Sequence, residues 1–293
     1  MPDISMYSFR QIARRIPAVK AALHFIRKDV LHQREKPYAF RYAAEKGIQQ
    51  SNFEMDKHES IVIEDLRGRL DSLDFEDNGF TVLKLPREVP YEDYYHPTNV
   101  SAYFQQIEEL LQHHLGASYV EVFRHGLRKR HPTFPISTGK VYEYDQPTSV
   151  AHVDTIPLET LEEVKRQHCR EAGPLLKKRV QWVNIWKPLR GPLNDWPLAV
   201  CDTTSVNPTK DFEYADLLYP EFVTENCQVY FSPEYKWYYL SNHEIDELIV
   251  FKQSDTLPTA SPGVPHSAFY NPNMTADEPP GESIEVRALV YYD

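Results

Sequence analysis

Thr148-Ser149-Val150-Ala151-His152-Val153-Asp154 alternates along its length and is rich in β-branched residues, the pattern of a strand with one face buried. Residues two apart on a strand share a face, so His152 and Asp154 project together and can chelate one ion. The pair alone is weak evidence, because twelve histidines in 293 residues produce a His-x-Asp step by accident. Its weight comes from what lies downstream.

Pro262-Gly263-Val264-Pro265-His266-Ser267-Ala268-Phe269-Tyr270 is a Pro/Gly turn running into a second alternating stretch, with His266 at its mouth. The residues leave two roles open for His266, a core histidine bonded to backbone or a third metal ligand. Two histidines and one carboxylate on one side of a metal leave the opposite positions free. That arrangement suits Fe(II), which must accept a cosubstrate and O2 together. Glu282-Ser283-Ile284-Glu285-Val286-Arg287-Ala288-Leu289-Val290-Tyr291-Tyr292 is the most strand-like run in the chain. Arg287 there either pairs with Glu285 on its own face or forks onto the carboxylate of an α-keto acid.

Between these stretches, Arg179 to Pro192 places Trp182, Asn184 and Trp186 on one strand face. The trio reads either as core with a loop-tying amide, or as an apolar slot with one polar group for a flat carboxylate-bearing cosubstrate. Further strands are expected at Ser60–Leu66, Phe80–Leu85, Tyr119–Phe123, Lys140–Tyr144, Gln228–Phe231, Lys236–Leu240 and Glu247–Lys252. A buttressing helix is expected over about 97–116, capped by Asn99 or Ser101, with Tyr103, Ile107, Leu110, Leu111 and Leu115 as its apolar face and Gly116 as its stop. A second, strongly charged helix over about 158–178 follows the His-x-Asp step and is expected as an insertion or lid over the site. Many short strands, few long helices and ligands at strand ends describe a mainly β fold, a double-stranded β-helix of the jelly-roll, cupin-like type with flanking helices.

The formal net charge is −11, and no basic stripe follows the first forty residues, so nucleic acid is not the expected partner; a small molecule is. Cys169, Cys201 and Cys227 are odd in number and widely spaced, which fits a reducing compartment, the cytoplasm by default. No apolar run is long enough to span a bilayer and no signal-peptide core is present. In the first forty residues, eight Lys or Arg face three acids, and Ile12, Ile16, Val19, Ala22, Leu23 and Ile26 recur at helical spacing. Residues 1–35 are therefore read as a basic amphipathic helical extension, broken or kinked at Pro17, that packs on the domain or on a second copy in a homodimer. Asp3, Asp29 and the scarcity of serine argue against a mitochondrial leader. Residues 36–293 are read as a single domain.

The chain resembles the fungal gibberellin-desaturase-like family of hydroxylases and desaturases of secondary metabolism, relatives of the cephem methoxylase system. The resemblance runs from about Lys36 to Val290. It is carried by Ile63-Glu64-Asp65-Leu66-Arg67-Gly68, His152-Val153-Asp154, Gln181 to Leu189, Asp195 to Asp202, Pro265-His266-Ser267-Ala268-Phe269 and Glu282 to Arg287. It implies a jelly-roll, non-haem Fe(II)/2-oxoglutarate-dependent dioxygenase that uses O2 to oxidise an unactivated C–H bond by hydroxylation, desaturation or ring closure. It further implies His152, Asp154 and His266 as iron ligands and Arg287 as the anchor of 2-oxoglutarate, with Asn184 and Trp186 in the cosubstrate pocket. Tyr142, Tyr144, Arg124, Arg128 and Arg190 are candidates for the substrate pocket, and their arginines favour an amino acid or an amino-acid-derived substrate. Two rival readings use the same scaffold: a cupin-type metal-dependent hydrolase or isomerase without 2-oxoglutarate, and a binding protein without chemistry.

Overall fold

The computed structural model describes residues 18–136 and 142–293. Two sheets face each other. One has five strands in the order β4 (Phe80–Lys84), β12 (Glu247–Asp255), β7 (Arg179–Pro188), β14 (Glu282–Tyr292), β5 (Tyr119–Lys129), all antiparallel. The other has nine, in the order β1 (Val19–Ile26), β3 (Met55–Asp65), β11 (Trp237–Tyr239), β8 (Leu198–Cys201), β13 (His266–Ala268), β6 (His152–Val153), β10 (Val223–Val229), β9 (Phe212–Leu218), β2 (Tyr38–Phe40).

Alternation along the five-stranded sheet decides where each side chain goes. Ile284, Val286, Ala288 and Val290 of β14, with Val183 and Ile185 of β7, face outward onto Tyr103, Ile107 and Leu111 of the helix Val100–Leu115. That helix ends at Gly116, whose φ of 65° is the left-handed value glycine adopts without penalty. Asn99 occupies the N-cap position as expected, without a capping hydrogen bond from its side chain, and the Ser101 hydroxyl donates back to the Thr98 carbonyl. Ser283, Glu285 and Arg287 point the other way, into the space between the sheets. Phe80, Trp186, Ile249 and Phe251 from this inner face meet Leu198, Val200, Tyr238 and Leu240 of or beside the nine-stranded sheet.

Three expectations are corrected. Val19–Ile26 is a strand, antiparallel to β3, so residues 19–26 belong to the sheet and not to a helical extension; residues 1–17 lie outside the described residues. The apolar positions Val19, Ala21, Leu23 and Phe25 are buried at a period of two against Ile63, Trp237 and Phe269, and sheet pairing prevails over the helical spacing read from the sequence. The charged helix is shorter than expected, Pro157–His168, followed by a short turn of helix at Ala172–Leu175. Its Val164 packs on Val180, Trp182, Leu289 and Tyr291. Finally, Tyr142–Tyr144 is not a strand, and residues 137–141 lie outside the described ones.

Candidate metal centre and its cavity

Strand β6 is two residues long and lies between β13 and β10. His152 is in register with His266 on one side and with Gln228 on the other. Paired residues of an antiparallel ladder bring their side chains together, and the two imidazole centroids are 4.4 Å apart. Asp154, just beyond the end of β6, sets Oδ1 3.2 Å from His152 Nε2 and 3.9 Å from His266 Nε2. All three candidate ligand atoms lie within 4.8 Å of one another, a cluster that could converge on one metal ion.

The hydrogen bonds of the two imidazoles favour the tautomer a metal needs. His152 Nδ1 lies 2.7 Å from the Val150 carbonyl and His266 Nδ1 3.2 Å from the Val264 carbonyl. A carbonyl only accepts, so each Nδ1 donates and each Nε2 lone pair is left to face the ion. Burial, reinforced by the neighbouring His152, pushes His266 down to about 3 and keeps it neutral. Burial alone would raise the Asp154 pKa, but the neighbouring Arg287 charge overcomes it and holds the carboxyl well below its usual range.

A second set of contacts orients the ligands. Asp154 Oδ2 accepts from Asn184 Nδ2 at 2.8 Å and from Arg287 Nη2 at 3.1 Å, while the Trp182 indole donates to Asn184 Oδ1 at 3.0 Å. Gln253, fully buried on β12, accepts from the Asp154 backbone N–H at 2.6 Å, and its amide approaches the same Val264 carbonyl that receives His266. One side chain thus links the segments carrying two of the three ligands. Nothing in the sequence singled out Gln253 or Trp182 for these roles, since the partners of Gln253 are set by the facing of two sheets.

A cavity open to solvent has His152 and His266 in its wall. Trp186, Leu193, Trp196 and Leu198 make its apolar side, and Arg128, Arg130, Asp195, Ser283 and Glu285 contribute to the polar side. Of the residues proposed from sequence, Trp186 and Arg128 reach this cavity. Asn184 lies behind it on Asp154. Arg287 is no part of the lining; its guanidinium is shared between Asp154 and Glu285, 3.0 Å away. Tyr142 and Tyr144 line a neighbouring recess with Lys129, His131 and Gln146. Arg190 stacks on Tyr91 at 4.4 Å and lies 3.5 Å from Glu282, and exposed Arg124 sits 4.0 Å from Glu163. No residue of the Pro157–His168 helix lines this cavity.

Comparison with known proteins turns this geometry into a family. Residues 23–291 match a family model described as an oxidoreductase/YMDC permease-like domain. The chain is 31% identical over 272 residues to the Fe(II)/2-oxoglutarate-dependent dioxygenase nvfI of Aspergillus novofumigatus, covering 91% of this chain and 94% of that one. It belongs to the fungal Fe(II)/2-oxoglutarate-dependent dioxygenases. This dioxygenase is also 30% identical to the hydroxylase/desaturase efuI of Hormonema carpetanum, over 80% of this chain and 83% of the other. A solved structure of the iron and alpha-ketoglutarate-dependent endoperoxidase NvfI superposes with a TM-score of 0.82 at 28% identity, over 94% of this chain and 98% of that one. The two facing sheets are thus the jelly-roll core of the family, and the dioxygenase uses Fe(II), 2-oxoglutarate and O2. Its place is in fungal secondary metabolism, with a small-molecule substrate. The hydrolase and binding-protein readings fall away with this membership. No helix among the described residues is long and apolar enough to cross a membrane.

Proposed function

We propose that His152 and His266, through Nε2, and Asp154, through Oδ1, hold the Fe(II), and that the cavity they border receives the substrate whose C–H bond is oxidised. The observation that carries this reading is the ligand triangle with both Nδ1 atoms tied to carbonyls. Iron(II) with 2-oxoglutarate and O2 supplies the oxidising power for an unactivated C–H bond, giving succinate and CO2 as coproducts. The protein's own part is positional: Asn184 and Arg287 fix Asp154, Gln253 fixes the Asp154 backbone, and the apolar wall keeps water from the reacting carbon.

The nature of the wall narrows the substrate. Arg130 is bound to Asp195 at 2.5 Å, and Arg190 and Arg124 lie outside the cavity beside Glu282 and Glu163. With Trp186, Trp196, Leu193 and Leu198 forming one side, a compact apolar skeleton fits better than the amino-acid-like molecule suggested by counting arginines. We place the enzyme in the cytoplasm, where its unpaired cysteines would stay reduced. Dimerisation through an N-terminal helix loses its support over residues 19–26, which form β1.

The test is anaerobic loading of the wild-type, His152→Ala and Asp154→Ala proteins with Fe(II), followed by metal analysis and titration with 2-oxoglutarate. Wild type should retain iron and develop the weak visible charge-transfer band of the keto-acid chelate. Both variants should lose the iron and the band while keeping the wild-type circular dichroism. A variant that keeps both would remove its residue from the ligand set.

A further inference from the structure

Arg128 on β5 and Arg130 just past its end both line the cavity, and they are neutralised differently. Arg130 is bound to the buried carboxylate of Asp195 at 2.5 Å. Arg128 donates from Nη1 to the Gln146 carbonyl at 3.0 Å, a neutral acceptor, and no carboxylate lies within ion-pair distance of it among the described residues. The other two acids of the wall have cations of their own: Lys129 lies 2.9 Å from Glu282 and Arg287 3.0 Å from Glu285. A guanidinium carries five N–H donors in a planar fork, and most of those on Arg128 meet no acceptor among the described residues.

The register fixes what stands beside this fork. Arg128 pairs with Ser283 of β14, and paired residues share a face, so Ser283 adds a hydroxyl donor next to the guanidinium. Both line the chamber that His152 and His266 border, and Trp186, Leu193, Trp196 and Leu198 form its apolar side. A ligand that satisfies such a wall has an apolar body and one charged end with two acceptor oxygens. A wholly apolar ligand would strip water from the guanidinium and give nothing in return, which costs free energy. Arg287, the expected anchor of the cosubstrate, is no part of this lining.

We propose that Arg128, with Ser283 beside it, binds a carboxylate on the molecule that is oxidised, so that the enzyme selects an apolar skeleton bearing one carboxylate. The proposal rests on the reading of the cavity as the substrate chamber. Two parallel N–H···O bonds from one fork fix orientation as well as position. The carboxylate therefore decides which carbon of the skeleton is presented to the histidine side of the chamber, and with it which C–H bond is oxidised.

The experiment is anaerobic calorimetry of the full chain, saturated with Fe(II) and 2-oxoglutarate, against adamantanecarboxylate and adamantanecarboxamide. The two probes share one compact apolar cage and differ in the charge of the headgroup. Wild type should bind the carboxylate about 10- to 100-fold more tightly, the worth of one or two charge-assisted hydrogen bonds. Arg128→Gln should remove that preference and leave the carboxamide little changed, which also shows that the cavity is folded. Arg128→Lys, which keeps the charge and loses the fork, should fall between. A preference that survives in Arg128→Gln, or is absent from wild type, overturns the proposal. So does a loss of 2-oxoglutarate affinity in Arg128→Gln with no change in either probe, which would make the guanidinium a cosubstrate group. The chamber reading is judged separately, by the proton relaxation of adamantanecarboxylate bound to Mn(II)-loaded protein. If the Arg128-dependent preference stands but the metal leaves that relaxation unchanged, the carboxylate site is remote from the metal, and it is the substrate reading of the cavity that falls.

Discussion

His152 and His266 owe their readiness as ligands to two carbonyl oxygens, those of Val150 and Val264, which fix the tautomer before any ion arrives. Gln253 ties the second of these carbonyls to the Asp154 backbone. Removing such an orienting contact typically costs 10- to 100-fold in metal affinity. Gln253→Ala should therefore weaken Fe(II) binding by about that factor, measured by competition with a chromogenic chelator under nitrogen; unchanged affinity would reduce Gln253 to a packing residue. The three candidate ligands were legible in the sequence because ligand chemistry resides in the residue type, and a shared strand face follows from spacing alone. The roles of Asn184, Gln253 and Arg287 were not. The sequence offered Arg287 both Glu285 and an external carboxylate, and only the approach of Asp154 to 3.1 Å, from a residue 133 positions away, decides how its fork is divided.

At the scale of elements, the turn before β13 is the most tightly built. A Cβ on Gly263 would lie 2.2 Å from the Gln253 carbonyl oxygen and 2.5 Å from Val153 Cγ1, and the first of these is backbone that cannot swing aside. Gly263→Ala should push the turn off β12, displace His266 and lower the thermal midpoint by several degrees, read by scanning calorimetry together with iron content. The connection before β12 carries a pH dependence. Burial depresses His243 to about 4, so between pH 6.5 and 4 the unfolded chain takes up a proton that the folded one refuses. The stabilisation is complete above pH 6.5 and is lost as pH falls through this window, to the order of 3 kcal/mol. Glu247, held at about 2 by Arg67 against the opposing effect of burial, adds a separate loss below about pH 4.5. Urea unfolding of wild type and His243→Gln from pH 7 to 4 should show a smaller loss in the variant; parallel curves would exclude His243 as the source. Strong periodicity made β7, β12 and β14 legible, whereas β1 satisfies both a helical and an alternating pattern. Only the pairing of Val19 with Ile63 and Leu23 with His58 selects between them.

For the molecule as a whole, β1 closes one edge of the nine-stranded sheet, and fully buried Leu23 and Phe25 lie beneath it. Each such side chain contributes about 1.5–3 kcal/mol by burial, a large part of an ordinary domain's net stability. A chain beginning after Ile26 should fail to give a folded monomer by circular dichroism and size exclusion; a native-like, monomeric product would make β1 dispensable. The jelly-roll class was legible from many short strands and candidate ligands at strand ends, but the membership of residues 19–26 in it was not, because sheet order is a property of distant pairings. The two histidines and part of the cavity wall differ in kind. His152 and His266 sit on paired strands, whereas Pro147, Leu193, Trp196 and Gly281 reach the chamber from connecting segments. Connections tolerate substitution and changes of length that a ladder does not. The oxidising apparatus and the surface that chooses what is oxidised are thus free to diverge at different rates, so that one inherited engine can be refitted with new upholstery for each new compound.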